Sequence, residues 1–307
     1  MRIAIIGAGG AGGLIGGRLS ALLHDSTEHQ VVLWCRGAVL DSVRRNGLRL
    51  HSGSGDLTAH PATVTHDAAE AGPCDVVIYA TKGYDLEAAA AETAPLVQPD
   101  TRVIPILNGI SAPETLARLL PPCDVLSGCV YLSAHAEAPG VIRQMGAVQR
   151  FLFGHPGLGE AENRMRYADV ERLLKRAGLQ VTLTELIDVE VWAKFLFLSP
   201  MAALTALHGR SMGGILEDDG AREQLTAMIC EAEDLARAAG VRLPENVVNI
   251  TLERCRLFPS EARTSMQLDR EQPMELETLV GCVCQQGRKL KVPTPTYDRV
   301  YSELKTQ

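Results

Sequence analysis

Along the first 186 positions apolar residues come in short runs, each closed by glycine, proline or a polar cluster; beyond that point they recur three and four apart. The first pattern predicts buried strands at residues 2–6, 30–35, 74–80 and 102–107, with helices over 14–23, 40–46 and 85–93 between them. Strand and helix alternating in this way predict a parallel sheet wound on both faces. Residues 48–65 are mostly polar, strand-like only at 48–50 and 62–65, and are expected to form a small irregular insertion. Two more strands are expected at 125–133 and 148–154, with Ala138-Pro139-Gly140 as the turn between them. A helix over 167–177 and a closing strand at 179–183 complete this half. From Asp188 onward no strand pattern remains. Residues 188–207 read as a long, largely apolar helical stretch interrupted by Pro200. Residues 222–239 and 276–289 read as two further long helices, the first stopped by Gly240. The change of period puts a domain boundary near 184–189.

The sharpest local signal is Gly7-Ala8-Gly9-Gly10-Ala11-Gly12, a G-x-G-x-x-G between the first strand and the first helix. In such a turn Gly7 allows the bend out of the strand, Gly9 lets the backbone approach a pyrophosphate, and Gly12 lets the helix pack against the sheet. Gly10 and Ala11 lie between them, where the free N–H groups and dipole of the helix form an anion site. Seven glycines in residues 7–17 make a chance match easy, and the alternative is a glycine-rich turn with no ligand. The strand before, the helix after and the second strand at 30–35 favour dinucleotide binding. The fold class expected is therefore α/β, with a Rossmann-type dinucleotide-binding domain over 1–186 and an all-helical C-terminal domain over 187–307. The second strand ends Trp34-Cys35-Arg36 without the carboxylate that would accept from a ribose 2′-hydroxyl. Arg36 suits the 2′-phosphate of NADP instead, the alternative being a solvated loop arginine. Thr81, Lys82 and Asn108 follow the next two strands, at the edge where ligands of such sheets bind.

Composition adds mainly exclusions. The 307 residues carry a net charge of −7, are 46% hydrophobic and 22% charged, and have no basic run, which argues against a nucleic-acid partner. No apolar stretch is expected to reach the roughly 18 residues of a membrane span, and the N-terminus does not read as a signal peptide. Cysteines at 35, 74, 123, 129, 230, 255, 282 and 284 form no C-x-x-C, so they read as reduced thiols of a cytoplasmic protein, and no metal site is expected.

In the helical half Lys194 stands out within Glu190-Val191-Trp192-Ala193-Lys194-Phe195-Leu196-Phe197-Leu198. One reading is a lysine whose stem is buried and whose ammonium reaches water. The other is an ammonium that donates to a carbonyl oxygen as hydride arrives at its carbon.

With these residues in place the chain resembles the ketopantoate reductase (2-dehydropantoate 2-reductase) family over nearly its full length. The resemblance rests on the opening IAIIGAGGAGG, Arg36, Ala80-Thr81-Lys82, Leu107-Asn108-Gly109 and Pro139-Gly140-Val141. It continues through Trp192 to Leu196, Leu204 to Leu207, Ser265-Met266, Glu275-Leu276-Glu277 and Val292 to Pro295. It implies NADPH-dependent reduction of a 2-keto acid to a 2-hydroxy acid, the step used in pantothenate biosynthesis, by a cytoplasmic enzyme that could be a homodimer. By matching motifs, Lys194 would be the general acid, and Asn108 and Lys82 would lie along the cofactor and substrate path. Ser265 and Glu275 would hold the substrate's carboxylate and hydroxyl ends, with Glu275 helping to keep Lys194 charged. Two departures stand out: the family pattern has asparagines where this chain has Leu198 and Ala202, and the segment between Ser265 and Glu275 is slightly shorter. They favour a more hydrophobic 2-keto acid over ketopantoate. A different class of function, a non-catalytic NADP-binding redox sensor, fits the loss of the two amides but not the retention of Lys194, Asn108 and Glu275.

Overall fold

The computed structural model describes residues 1–53, 55–268 and 275–306. It divides into two compact units, Met1–Leu107 with Ala112–Ile187, and Asn108–Ser111 with Asp188–Gln307.

In the first unit, β1 (Arg2–Ile6), α1 (Gly10–Leu22) and β2 (Gln30–Trp34) form the opening β-α-β unit, followed by α2 (Gly37–Asn46). The chain continues through β3 (Leu48–His51), β4 (Leu57–Ala59), β5 (Thr63–Thr65), α3 (Ala68–Ala71), β6 (Val76–Tyr79), α4 (Leu86–Thr93) and β7 (Arg102–Pro105). Then come α5 (Ala112–Leu119), β8 (Asp124–Val125), β9 (Ser127–Ala138), β10 (Val141–Gly154), α6 (Glu160–Arg176) and β11 (Gln180–Leu183). Six strands make a parallel sheet in the order β5-β2-β1-β6-β7-β8. Its central strands are apolar throughout because both faces are covered. Ile5, Leu33, Ile78 and Ile104 pack into one layer, while Ala4, Ile6, Val32, Val77, Tyr79 and Val103 pack into the other.

A second sheet, β11-β10-β3-β4 with β9 paired to β10, corrects one sequence expectation. Residues 48–65 are no irregular insertion: β3 and β4 are an antiparallel pair, and β3 joins β10 in parallel. Leu48 and Leu50 are buried and Arg49 is exposed, an alternation too short to stand out from its polar flanks. The strand expected at 179–183 is β11, which closes this second sheet parallel to β10. Helix boundaries move as well. The helix expected over 167–177 starts at Glu160, because its first two turns are solvated and carry exposed Glu160–Arg164 and Glu162–Arg166 pairs instead of an apolar period.

The second unit is helical. It contains α7 (Ile187–His208), α8 (Met212–Glu217), α9 (Asp219–Ala238), α10 (Val247–Arg256) and α11 (Ser265–Leu268), then a π-helical turn at Glu277–Gly281, α12 (Cys282–Leu290) and α13 (Pro295–Lys305). Pro200 does not interrupt α7, which runs unbroken through it. Residues 199–206 are buried all round, so packing offsets the hydrogen bond that proline cannot donate. The regular helix expected at 276–289 begins instead with the π turn. A further correction concerns membrane spans: α7, with a mean hydropathy of 1.3 over its most apolar window, is long and apolar enough to cross one by length and composition. Its apolar residues form the core of this unit, with Phe195, Leu196, Met201, Leu204 and Ala206 packed against Leu225, Met228, Ile229 and Leu279.

Candidate active site

The glycine-rich turn of the first unit divides its work among its residues. Gly7 has φ +100, open to glycine but strained for other residues, and its N–H donates to the Trp34 carbonyl at 3.0 Å. A Cβ at Gly7 would meet the Ala80 carbonyl oxygen at 2.9 Å. At Gly10 a Cβ would collide with the backbone carbonyl of Ala134, and at Gly12 with that of Gly7. Gly9 differs from all three: its φ of −74 suits any residue, and nothing lies within 4 Å of the Cβ it lacks. Neither conformation nor packing against the described residues calls for glycine there. It stands at the N-cap of α1, where no side chain caps the helix and the first turn, including the half-buried Ala11, has no acidic residue. The first-turn N–H groups and the positive dipole end are thus left for an anion, with open space over Gly9 to admit it. Thr81, whose backbone nitrogen neighbours Gly7, holds a buried hydroxyl oxygen with no hydrogen-bond partner among the described residues. This cradle fits the pyrophosphate of a dinucleotide.

Lys82 follows Thr81 and precedes a short 3-10 turn at Gly83–Asp85. Arg36 is the N-cap residue of α2, with its side chain 64% exposed. It makes long pairs to Asp85 at 3.5 Å and Glu92 at 3.7 Å. Exposed pairs of that length contribute little, so the guanidinium can be drawn to a stronger anion.

In the second unit four of the sequence-selected residues meet in one row. The Lys194 ammonium on α7 donates to Asn108 Oδ1 at 3.0 Å. Asn108 Nδ2 donates to Glu275 Oε2 at 3.5 Å, and Ser265 Oγ donates to the same oxygen at 3.4 Å. The amide is oriented by its neighbours, oxygen toward the cation and nitrogen toward the anion. Glu275 is 2% exposed, and a buried carboxylate needs such donors. Lys194 is half-buried, and its ammonium rests on Asn108.

Local structure explains why these side chains meet. Asn108 is followed by Gly109 at φ +103, and a Cβ there would meet Thr278 Cγ2 at 2.7 Å, so the loop lies directly on the π turn. The Leu279 N–H donates to the Glu275 carbonyl at 2.9 Å. On α7, five residues past Lys194, the buried Ser199 hydroxyl donates to the Leu279 carbonyl at 2.6 Å. Ser199 has then spent its one hydrogen, so Tyr297, 2.8 Å away, is the donor to Ser199 Oγ. Burial pushes the Tyr297 phenol above the usual range, which keeps it a donor. Ser199, Thr278 and Tyr297 were not singled out from the sequence. The available signal was a hydroxyl on a buried apolar stretch of α7 (Ser199), which has to find a partner.

Leu198 and Ala202 lie one and two turns after Lys194 on the unbroken helix, Leu198 packed against the apolar core and Ala202 fully buried. No amide is available from either position. The shortened segment between Ser265 and Glu275 includes 269–274, which lie outside the described residues.

A parallel six-stranded sheet with an uncapped glycine-rich turn makes the first unit Rossmann-type, the class of fold that binds dinucleotides. Comparison with known proteins gives the family. Residues 3–157 match the model of "Ketopantoate reductase PanE/ApbA" and residues 187–307 that of its C-terminal domain. The chain belongs to the ketopantoate reductase family. It is 32% identical over 325 residues to a 2-dehydropantoate 2-reductase of Mesorhizobium japonicum, covering 98% of this chain and 95% of that one. The crystal structure of 2-dehydropantoate 2-reductase from Porphyromonas gingivalis W83 is similar at a TM-score of 0.86 and 32% identity, covering 99% of each chain. A D-mandelate dehydrogenase, solved as a ternary structure with NADH and anilino(oxo)acetate, shares the fold at a TM-score of 0.84 but only 21% identity, covering 100% of this chain and 98% of that one.

Proposed function

We propose that this protein reduces a 2-keto acid to the 2-hydroxy acid with NADPH, and that Lys194 is the general acid. The observation that carries this reading is the row Lys194–Asn108–Glu275–Ser265 in a member of the ketopantoate reductase family. When bound, NADPH supplies the hydride that goes to the keto carbon. The open cradle at Gly9 and the first turn of α1, with Gly7, Gly10, Ala11 and Gly12 shaping it, hold the pyrophosphate, and Thr81 and Lys82 border it. Arg36 takes the 2′-phosphate, replacing its long pairs to Asp85 and Glu92 with a charge-assisted fork. Lys194 delivers its proton to the keto oxygen as negative charge develops there, with the ammonium aimed by Asn108. Ser265 offers its hydroxyl to the substrate's polar groups, and the Glu275 carboxylate balances the charge of the lysine.

The substrate we favour is a branched hydrocarbon 2-keto acid such as 2-ketoisovalerate rather than ketopantoate. Leu198 and Ala202 offer no partner to a substrate hydroxyl, and leaving one unpaired and buried costs about 1–3 kcal/mol. An apolar side chain in that space gains about 0.8 kcal/mol per buried methylene. Turnover of a panel of 2-keto acids, followed as NADPH oxidation, tests both levels. Reduction of several acids with 2-ketoisovalerate ahead of ketopantoate supports the reading, and Leu198→Asn should shift preference back toward ketopantoate. A wide preference of the unaltered enzyme for ketopantoate refutes the hydrophobic pocket. NADPH binding without turnover of any acid makes the protein a redox sensor instead.

A further inference from the structure

Among the described residues, the row around Lys194 holds one ammonium and one carboxylate, whose charges offset each other. A 2-keto acid is an anion, and moving its carboxylate out of water is costly unless a further cation or several donors receive it. Among the described residues of the second unit, the guanidinium of Arg254 is placed for this. Arg254, on the last turn of α10, reaches the turn of α7 that carries Lys194: its Nη1 donates to the carbonyl oxygen of Ala193 at 3.3 Å. That single, long contact leaves most of its five-donor fork without a partner among the described residues. The neighbouring Arg256 shares the favourable end of the α10 dipole but is exposed, whereas Arg254 is half-buried against α7.

A second contact fixes the end of α10 to the same place. The ring of Phe258, two residues past the helix, stacks on Phe197 of α7 with centroids 4.7 Å apart and planes 12° from parallel. Phe197 lies three residues after Lys194, and helical side chains lean toward the N-terminus, so this pair sits over the turn of Lys194. Arg254 is thus held beside that turn by the Ala193 carbonyl and by the aromatic stack.

We infer that Arg254 is a substrate-binding residue, the cation that receives the carboxylate of the 2-keto acid while Lys194 addresses its keto oxygen. A planar fork matches a carboxylate through two parallel hydrogen bonds, and exchanging a neutral carbonyl for that anion strengthens the bonds it makes. The inference rests on the proposed 2-keto acid reduction and deepens it.

The probe is oxamate, a non-reducible mimic of a 2-keto acid, titrated calorimetrically into the protein saturated with NADPH. Oxamide, its uncharged counterpart, serves as control. Arg254→Gln should weaken oxamate binding tenfold or more, leave the weak binding of oxamide unchanged, and raise KM for 2-keto acids by more than it lowers kcat. Arg254→Lys should recover part of the oxamate affinity. Equal oxamate affinity in the unaltered protein and Arg254→Gln overturns the inference while leaving 2-keto acid reduction standing. Parallel loss of oxamate and oxamide, with a lowered Tm, also overturns it, because Arg254 would then only hold α10 to α7. If the unaltered protein neither binds oxamate nor reduces any 2-keto acid, the proposed reaction fails and the role of Arg254 fails with it.

Discussion

Two neighbouring glycines in the opening turn should respond to the same substitution in opposite ways. At Gly10 an added Cβ falls on the backbone carbonyl of Ala134 in β9, which no side-chain rotation can relieve. Overpacking of that kind costs about 1–3 kcal/mol, so Gly10→Ala should lower Tm by several degrees. At Gly9 an added Cβ meets nothing within 4 Å and φ is −74. Removing glycine freedom from the unfolded chain gains about 0.4–1 kcal/mol, and losing glycine at an N-cap costs a similar amount. Gly9→Ala should therefore leave Tm within about 2 °C of the unaltered protein. Its effect belongs to the ligand. The methyl group occupies the space through which a pyrophosphate reaches the first N–H groups of α1, and losing one such charge-assisted bond costs about 1.5–3 kcal/mol. NADPH should then bind roughly 10- to 150-fold more weakly. Thermal melts and NADPH titrations of both variants make the test. If Gly9→Ala binds NADPH as tightly as the unaltered protein, the open space over Gly9 is not where the cofactor lies. If it melts as early as Gly10→Ala, the packing argument fails as well.

Other perturbations follow from the same geometry. Ser199→Ala removes the donor that ties α7 to the π turn and strands the Leu279 carbonyl, costing about 1–3 kcal/mol; kcat should fall several-fold while NADPH affinity holds, and an unchanged kcat would make the contact purely structural. Arg36→Ala should weaken NADPH far more than NADH, and equal losses in parallel titrations would remove Arg36 from 2′-phosphate recognition. Burial pushes the Glu171 carboxyl up, but the Lys175 ammonium, the Leu183 N–H and Arg164 outweigh it, leaving it below the usual range. A depressed carboxyl stabilises the fold above its unfolded value of about 4.3 and loses that contribution as pH falls through its folded value. Tm of Glu171→Gln should thus lie below that of the unaltered protein at neutral pH, and the gap should close below about pH 4; a gap independent of pH would contradict the ion pairing.

How much could be read from the chain depended on which faces were buried. β1, β2, β6 and β7 were legible because a strand covered on both sides must be apolar throughout, and the glycines between β1 and α1 marked their turn. The second sheet was not, since β3 buries only Leu48 and Leu50, and β4 spans three residues. The π turn was invisible because composition does not distinguish it from an α-helix; only the packing of Gly109 on Thr278 and of Ser199 on Leu279 makes it matter. Lys194 was conspicuous as a cation among large apolar side chains. Ser265 and Glu275 were found by resemblance, with no local pattern to single them out. The link from Ser199 to a backbone carbonyl 80 residues away leaves no trace in residue types at all.

The role proposed for Lys194 is to give the keto oxygen its proton. Single-turnover and steady-state reduction of the best 2-keto acid by Lys194→Ala, with NADPH affinity measured alongside, tests it directly. As general acid, Lys194 should leave behind a kcat lower by roughly two to four decades at nearly unchanged NADPH affinity when it is removed. A variant that keeps the kcat of the unaltered enzyme would reduce Lys194 to a lysine whose stem packs on an apolar helix and whose ammonium rests on Asn108.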